Sequence, residues 1–151
     1  MTLGDVASLP EGRLLGVDLG TVRIGLAVCD PDQTIATADG TIALPADARP
    51  ATIADQVAAA ATERSASGVV IGNPRRLDGR EGRAAARART VAELLASVHG
   101  LAVALVDERF STVEAARVMR DQDVDSRAAR ADVDRVAAAI ILQHALERRR
   151  A

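Results

Sequence analysis

The 151-residue chain is nearly without aromatic side chains: it has no Trp, no Tyr and a single Phe, Phe110. Its core must therefore be assembled from Ala, Val, Leu and Ile, which suits helices packed closely on a sheet. Lysine is missing too, so all 19 basic residues are Arg; with the abundant Ala this reads as a coding bias and is given no functional weight. A single cysteine, Cys29, excludes an internal disulfide framework. Its place in an apolar run favours a small buried hydrophobe over a thiol that joins two chains. No secretory leader pattern or apolar run of membrane-spanning length is present, so the expectation is a cytoplasmic protein without a membrane partner. The formal net charge of −2 announces no polyanionic partner at the level of the whole molecule.

What is present is a change of pattern along the chain. Residues 1–12 read as disordered or irregular, and 13–151 as one domain, a length sufficient for a continuous core. LLGVDLG and IGLAVCD are two short apolar runs joined by GTVR, and Thr34 to Leu44 adds a third strand with a kink or turn at Asp39-Gly40. Short loops make these three antiparallel. After Pro50 the chain alternates: a helix in ATIADQVAAAATERS, a buried strand in GVVIGNP, a helix in REGRAAARARTVAELLASVHG, a strand in LAVALVDE, a helix in STVEAARVMR opened by a Ser111/Glu114 capping box, and a last helix that includes VDRVAAAIILQHALERRR. Helical crossovers return successive strands in the same sense. The expected fold is thus α/β, a mixed five-stranded sheet of three antiparallel strands followed by two parallel ones, with helices on both faces.

Three carboxylates fall where carboxylates are costly. Asp18 interrupts LLGVDLG, Glu108 ends LAVALVDE and Asp134 opens VDRVAAAIIL. A carboxylate buried without a partner costs several kcal/mol, so each must be protonated, paired with a cation or bound to metal. Singly, each has a structural explanation: a turn cap, a strand-end ion pair, a helix N-terminus. Jointly, the topology makes convergence reasonable, since the first strand and the two later parallel strands become neighbours. Ala137, Ala138 and Ile141 follow Asp134 at helical spacing, so the face that bears the acid packs inward. Oxygen donors of this kind suit Mg²⁺ or Mn²⁺ rather than Zn²⁺. Gly20 would admit a substrate backbone, and the Thr21 hydroxyl a phosphate. Between Arg75 and Arg89, six arginines accompany Asp78 and Glu81, either a solvated helix face or a phosphate-contacting surface.

GVDLGTVRIGLAV, GNPRRLDGREG, VDERFSTVEA and VDRVAAAIILQ, in that order from about Leu14 to Leu146, resemble the signature blocks of the YqgF/RuvX family. That family has an RNase H-like fold and is described as Holliday junction resolvases and as pre-16S rRNA nucleases. The resemblance implies a metal-dependent endonuclease that acts on structured nucleic acid, in 5′ maturation of pre-16S rRNA during ribosome biogenesis, in junction resolution, or in both. It implies that Asp18, Glu108 and Asp134 form a catalytic, metal-binding cluster for Mg²⁺ or Mn²⁺. It further implies a nucleic-acid surface from Gly20, Thr21 and Arg23, through Arg75, Arg76, Asp78, Gly79, Arg80 and Arg83, to Arg109, Ser111 and Thr112. Of the adjacent Asp107 and Glu108, which strand alternation sends to opposite faces, the family pattern favours Glu108 as the inward one. Two departures bear on substrate preference: Arg76 stands where many relatives carry Asn, and the usually Lys-rich segment before the last acid is SRAARADVD. Expected partners are pre-rRNA or branched DNA, with ribosomal precursor particles. A second copy of the chain is a further candidate partner, because a junction resolvase needs two coordinated sites.

Two other readings compete. A nucleic-acid or ribosome-assembly module could keep the fold without hydrolysis, although an acidic cluster that faces phosphate is repulsive without metal. The actin-like ATPases and sugar kinases also open on a strand, DLGT and a returning strand, but they require a second phosphate hairpin that this sequence lacks. His99 and His144 have no partner at useful spacing and are given no catalytic part. Arg148 to Arg150 read as charges that complement the C-terminus of the last helix.

Overall fold

The computed structural model describes residues 3–73, 82–107 and 127–150, with side chains at all of these except Leu3 and 127–134. The strands are β1 (Leu3–Gly4), β2 (Leu14–Leu19), β3 (Arg23–Cys29), β4 (Ala36–Ala43), β5 (Gly68–Asn73) and β6 (Ala102–Asp107). The helices are α1 (Pro50–Glu63), α2 (Arg83–Ser97) and α3 (Arg127–Arg150). The expected STVEAARVMR helix lies outside the described residues.

The sheet order is β1-β6-β5-β2-β3-β4. β2 pairs antiparallel with β3 and parallel with β5, and β6 continues the parallel half beside β5. The five expected strands thus have the expected senses. β2 and β5 are central and covered on both faces, which is why LLGVDL and GVVIGN are buried almost throughout rather than alternating. β4 lies at an edge of the sheet, with five of its eight residues exposed and none fully buried. Its pairing with β3 slips between Gly25↔Thr41 and Ala27↔Ala38, which leaves one extra residue in β4. Gly40 takes φ +109° there, so the expected kink at Asp39-Gly40 is a bulge.

The N-terminal segment differs from expectation. Leu3–Gly4 adds a short sixth strand parallel to β6, and Val6–Ser8 forms one turn of 3₁₀ helix. Val6 and Leu9 are buried beneath α3. These two buried side chains anchor the segment once α3 provides a surface.

Alternation along each strand splits the core in two. Leu15, Val17, Ile24, Leu26, Val69, Ile71 and Val103 pack with Ile53 and Val57 of α1 and with Val91 and Leu95 of α2. Leu14, Ala27, Val70, Ala104 and Val106 face Ala138, Ile141, Leu142 and Leu146 of α3 on the other side. α1 opens on Pro50, whose missing N–H is not needed in the first turn. α3 begins six residues before the expected VDRVAAAIIL run, at Arg127.

Candidate active site

Asp18 is the penultimate residue of β2 and is 1% exposed. Strand alternation puts it with Leu14 and Gly16 on the α3 face, opposite Leu15 and Val17. Its cross-strand neighbour on β3 is Gly25. On β5, one step beyond the Val17↔Ile71 pair, the neighbour is Gly72. The two cross-strand positions beside Asp18 are therefore both glycines, which place no side chain at either of them.

α3 runs antiparallel to β2 over this face. At its C-terminal end, Arg149 Nε donates to Gln33 Oε1, and Gln33 Nε2 donates to the carbonyl of Gly12, just before β2 begins. Further along, a Cβ on Gly16 would lie 2.7 Å from Leu142 Cβ and 2.9 Å from the Ala138 carbonyl oxygen, so the helix rests on bare backbone there. From Gly16 to Asp18 the strand rises about 6.6 Å, and from Ala138 back to position 134 the helix covers about 6 Å. The backbone of Asp134 therefore stands at the level of Asp18; its carboxylate lies outside the described side chains.

β6 completes the frame. Val103 and Leu105 belong to the α1/α2 side, while Ala102, Ala104 and Val106 belong to the α3 side. Asp107 follows Leu105 in parity and is exposed, on the face opposite Asp18. Glu108, expected as the inward acid, lies outside the described residues. So do Arg75, Arg76, Asp78, Gly79, Arg80, Arg109, Ser111 and Thr112.

The β2–β3 turn carries the next group. Gly20 N–H donates to the Arg23 carbonyl at 3.0 Å, and a Cβ on Gly20 would lie 2.4 Å from that same oxygen. Glycine is thus needed to close the turn, a structural reason beside the expected one of substrate approach. Thr21 is exposed at the tip with Val22, which is 61% exposed, and Arg23 is half-buried at the start of β3. Arg83, the first residue of α2, is exposed.

Two polar residues here escaped the sequence reading as individuals. Arg87 Nη1 donates to the Gly20 carbonyl at 2.9 Å, and burial lowers the pKa of its guanidinium. The available signal was its place one turn before Val91 on the inner stripe of α2. Asn73, at the end of β5, is 3% exposed, and its Oδ1 has no hydrogen-bond partner among the described residues. Its signal was an amide closing an apolar strand.

Elsewhere, the chemistry-bearing residues are structural. Cys29 is 2% exposed, receives the Leu14 N–H at 3.2 Å and has its thiol pKa pushed up by burial. His99 Nε2 lies 2.9 Å from Asp55 Oδ1, joining the C-terminal end of α2 to α1. Arg149 donates to the carbonyls of Val6 and Leu9, and Arg150 to those of Gln33 and Thr34. These two arginines thus fasten neighbouring segments instead of complementing their own helix end, because the N-terminal segment presents carbonyls within reach. No helix among the described residues is long and apolar enough to cross a membrane.

Comparison with known proteins follows the same frame. The RuvX family model, described as Holliday junction resolvase, matches residues 12–148. A protein of Frankia casuarinae named "Putative pre-16S rRNA nuclease" is 44% identical over 137 residues, 90% of this chain and 67% of its own. One of the same name from Rhodopseudomonas palustris strain BisB5 is 47% identical over 141 residues, 91% of this chain and 84% of its own. Among solved structures, Thermus thermophilus RuvC in complex with a Holliday junction substrate aligns with a TM-score of 0.53 at 16% identity, covering 93% of this chain and 96% of that one, a likeness of fold. The sheet is therefore that of the RNase H-like proteins, and with nearly its whole length matched the chain belongs to the RuvX family.

Proposed function

We propose that the chain is a metal-dependent endonuclease that hydrolyses phosphodiester bonds of structured nucleic acid. Maturation of the 5′ end of pre-16S rRNA in the cytoplasm is the favoured task, and junction resolution the companion one. The observation that carries this reading is a carboxylate, Asp18, buried at the C-terminal end of a central strand between two glycines, under a helix whose backbone brings position 134 to its level. The names of the relatives and the family membership support it.

On this reading residues 13–151 work as one nuclease unit, and Asp18, Glu108 and Asp134 would hold Mg²⁺ or Mn²⁺. The donor chemistry fits: carboxylate oxygens suit a hard divalent ion, and glycine at both cross-strand positions beside Asp18 keeps bulky side chains from those two places. Such ions supply charge neutralisation at the phosphate and lower the pKa of the attacking water. The protein's own contribution is position. Asp18 is fixed by a strand paired on both sides, so its carboxylate loses little further freedom when the site fills. Thr21 and Arg23 lie in or next to the turn that follows and Arg83 opens α2, and arginine on phosphate fixes the register of a strand without reading its sequence. The basic 75–80 segment, with Gly79, and the Arg109-Ser111-Thr112 block extend that contact in the proposal.

The test is cleavage by the purified chain, in Mg²⁺ or Mn²⁺, of a 5′-extended pre-16S rRNA fragment and of a four-way DNA junction. Wild type is expected to cut at least one and Asp18→Asn neither. Equal cutting by Asp18→Asn would remove the acid from the mechanism. Binding without cleavage, persisting in EDTA, would make the chain a binding module of the same fold.

A further inference from the structure

We infer that Arg87 is a positioning residue for the acid site, a clamp from α2 that fixes the turn following Asp18; the inference rests on the nuclease reading above. Three observations carry it. First, Arg87 reaches across 67 residues of sequence to a single backbone atom, the Gly20 carbonyl oxygen, 2.9 Å from Nη1. Second, that carbonyl belongs to a turn closed as tightly as glycine permits, since Gly20 also donates to Arg23 and has no room for a Cβ. The orientation of the Gly20 peptide and of the chain two residues back at Asp18 are therefore linked. Third, the Arg87 guanidinium is half-buried, and the Gly20 carbonyl it meets among the described residues receives a charge-assisted hydrogen bond. Such a bond, partly withdrawn from water, fixes its acceptor more firmly than a neutral donor would, which suits a positioning role.

Arg87 is also well placed to transmit. It lies one helical turn after Arg83, so the two occupy one stripe of α2: Arg83 exposed at the helix start, Arg87 turned inward to the turn. A phosphate seated at the start of α2 would bear on the same rigid turn of helix that holds Gly20. Substrate engagement and the placement of Asp18 are in this way mechanically joined, and Arg87 acts through Gly20 without touching the scissile phosphate.

The experiment uses the full chain and the two substrates named above. For Arg87→Ala, the single-turnover cleavage rate at saturating substrate is expected to fall about 10- to 100-fold, the effect of a displacement on the order of 1 Å in the reacting groups. The Kd in Ca²⁺, read by fluorescence anisotropy, stays within about twofold, and its salt dependence keeps the wild-type slope. Arg87→Lys, which retains one charged donor for the Gly20 carbonyl, recovers part of the rate. Backbone amides of 20–23 exchange faster in Arg87→Ala while those of β5 do not. Should the Ala variant fail to fold, Arg87→Gln carries the same comparison. An unchanged rate overturns the inference. So does a loss confined to affinity with a salt slope reduced by about one, which would make Arg87 a phosphate contact. If Asp18→Asn is inactive while Arg87→Ala cuts normally, the clamp fails and the nuclease reading stands. If wild type cuts neither substrate, the nuclease reading fails and takes the clamp with it.

Discussion

At Gly16 the backbone of β2 lies directly against α3, and that approach requires one missing methyl. A Cβ there would stand 2.7 Å from Leu142 Cβ and 2.9 Å from the Ala138 carbonyl, a backbone atom that moves only with its helix. Gly16→Ala is therefore expected to cost about 1–3 kcal/mol, the range for overpacking a filled core, measured as a lower denaturation midpoint at unchanged m-value. Because the displaced helix also carries position 134, cleavage should fall in the folded variant as well. Cys29 gives a second prediction at this scale. Its thiol pKa is pushed up from 9.0, first by burial, and so less thiolate is present at any pH near neutrality. Iodoacetamide at pH 8, followed by mass spectrometry, should label Cys29 only after denaturant is added. Rapid native labelling would return Cys29 to the surface that a second copy could reach. The sequence had favoured a buried hydrophobe at this position, and the structure agrees.

Between elements, the joints are made by side chains whose partners lie far off in the sequence. Arg149 binds the carbonyls of Val6 and Leu9 and the amide of Gln33, and Gln33, itself at φ +58°, binds those of Pro10 and Gly12. Arg149→Ala should release the N-terminal segment, with a stability loss of about 1–3 kcal/mol and new protease cleavage within residues 3–12. If digestion is unchanged, Val6 and Leu9 alone hold the segment. The β3–β4 connection has its own lock: the Asp30 carboxylate accepts from the Thr34 hydroxyl and from the Ile35 and Thr34 amides, and the Thr34 hydroxyl leads in lowering its pKa to about 2. The sign follows from a depressed carboxylate. Its contribution is complete above the ordinary value of 3.8 and is lost as pH falls through about 2. A carboxyl-carbon NMR titration should show Asp30 with that midpoint, returning toward 3.8 in Thr34→Ala. These locks were not legible beforehand: Arg148 to Arg150 read as helix-end charges because periodicity reports which residues share a face, never what another segment brings to it.

At the scale of the whole molecule, a net charge of −2 must be reconciled with a polyanionic substrate. Affinity then has to come from local charge, and counterion release makes it steeply salt-dependent. Binding of the four-way junction in Ca²⁺ should weaken log-linearly with salt, and Arg83→Ala should reduce the slope by about one, equally for junctions of different sequence. A slope near zero would remove α2 from the interface. Membership of the RuvX family and the RuvC-like fold also bear on the competing readings at this scale. A single sheet with helices on both faces accounts for the described elements, as expected of a lone hairpin bearing DLGT.

Sequence by itself determined the succession of the described strands and helices from Leu14 onward, the central place of β2 and the oddity of Asp18, because burial on two faces leaves an uninterrupted apolar run in which one charge stands out. Four motif blocks sufficed for the family. Tertiary structure alone decided that Gly16 makes room for α3, that Arg87 turns inward to Gly20 and that Arg149 fastens the N-terminal segment. The reason is physical. Local periodicity is written by the solvent boundary of each element, whereas these contacts depend on the distance and direction between elements, which only the packed chain defines.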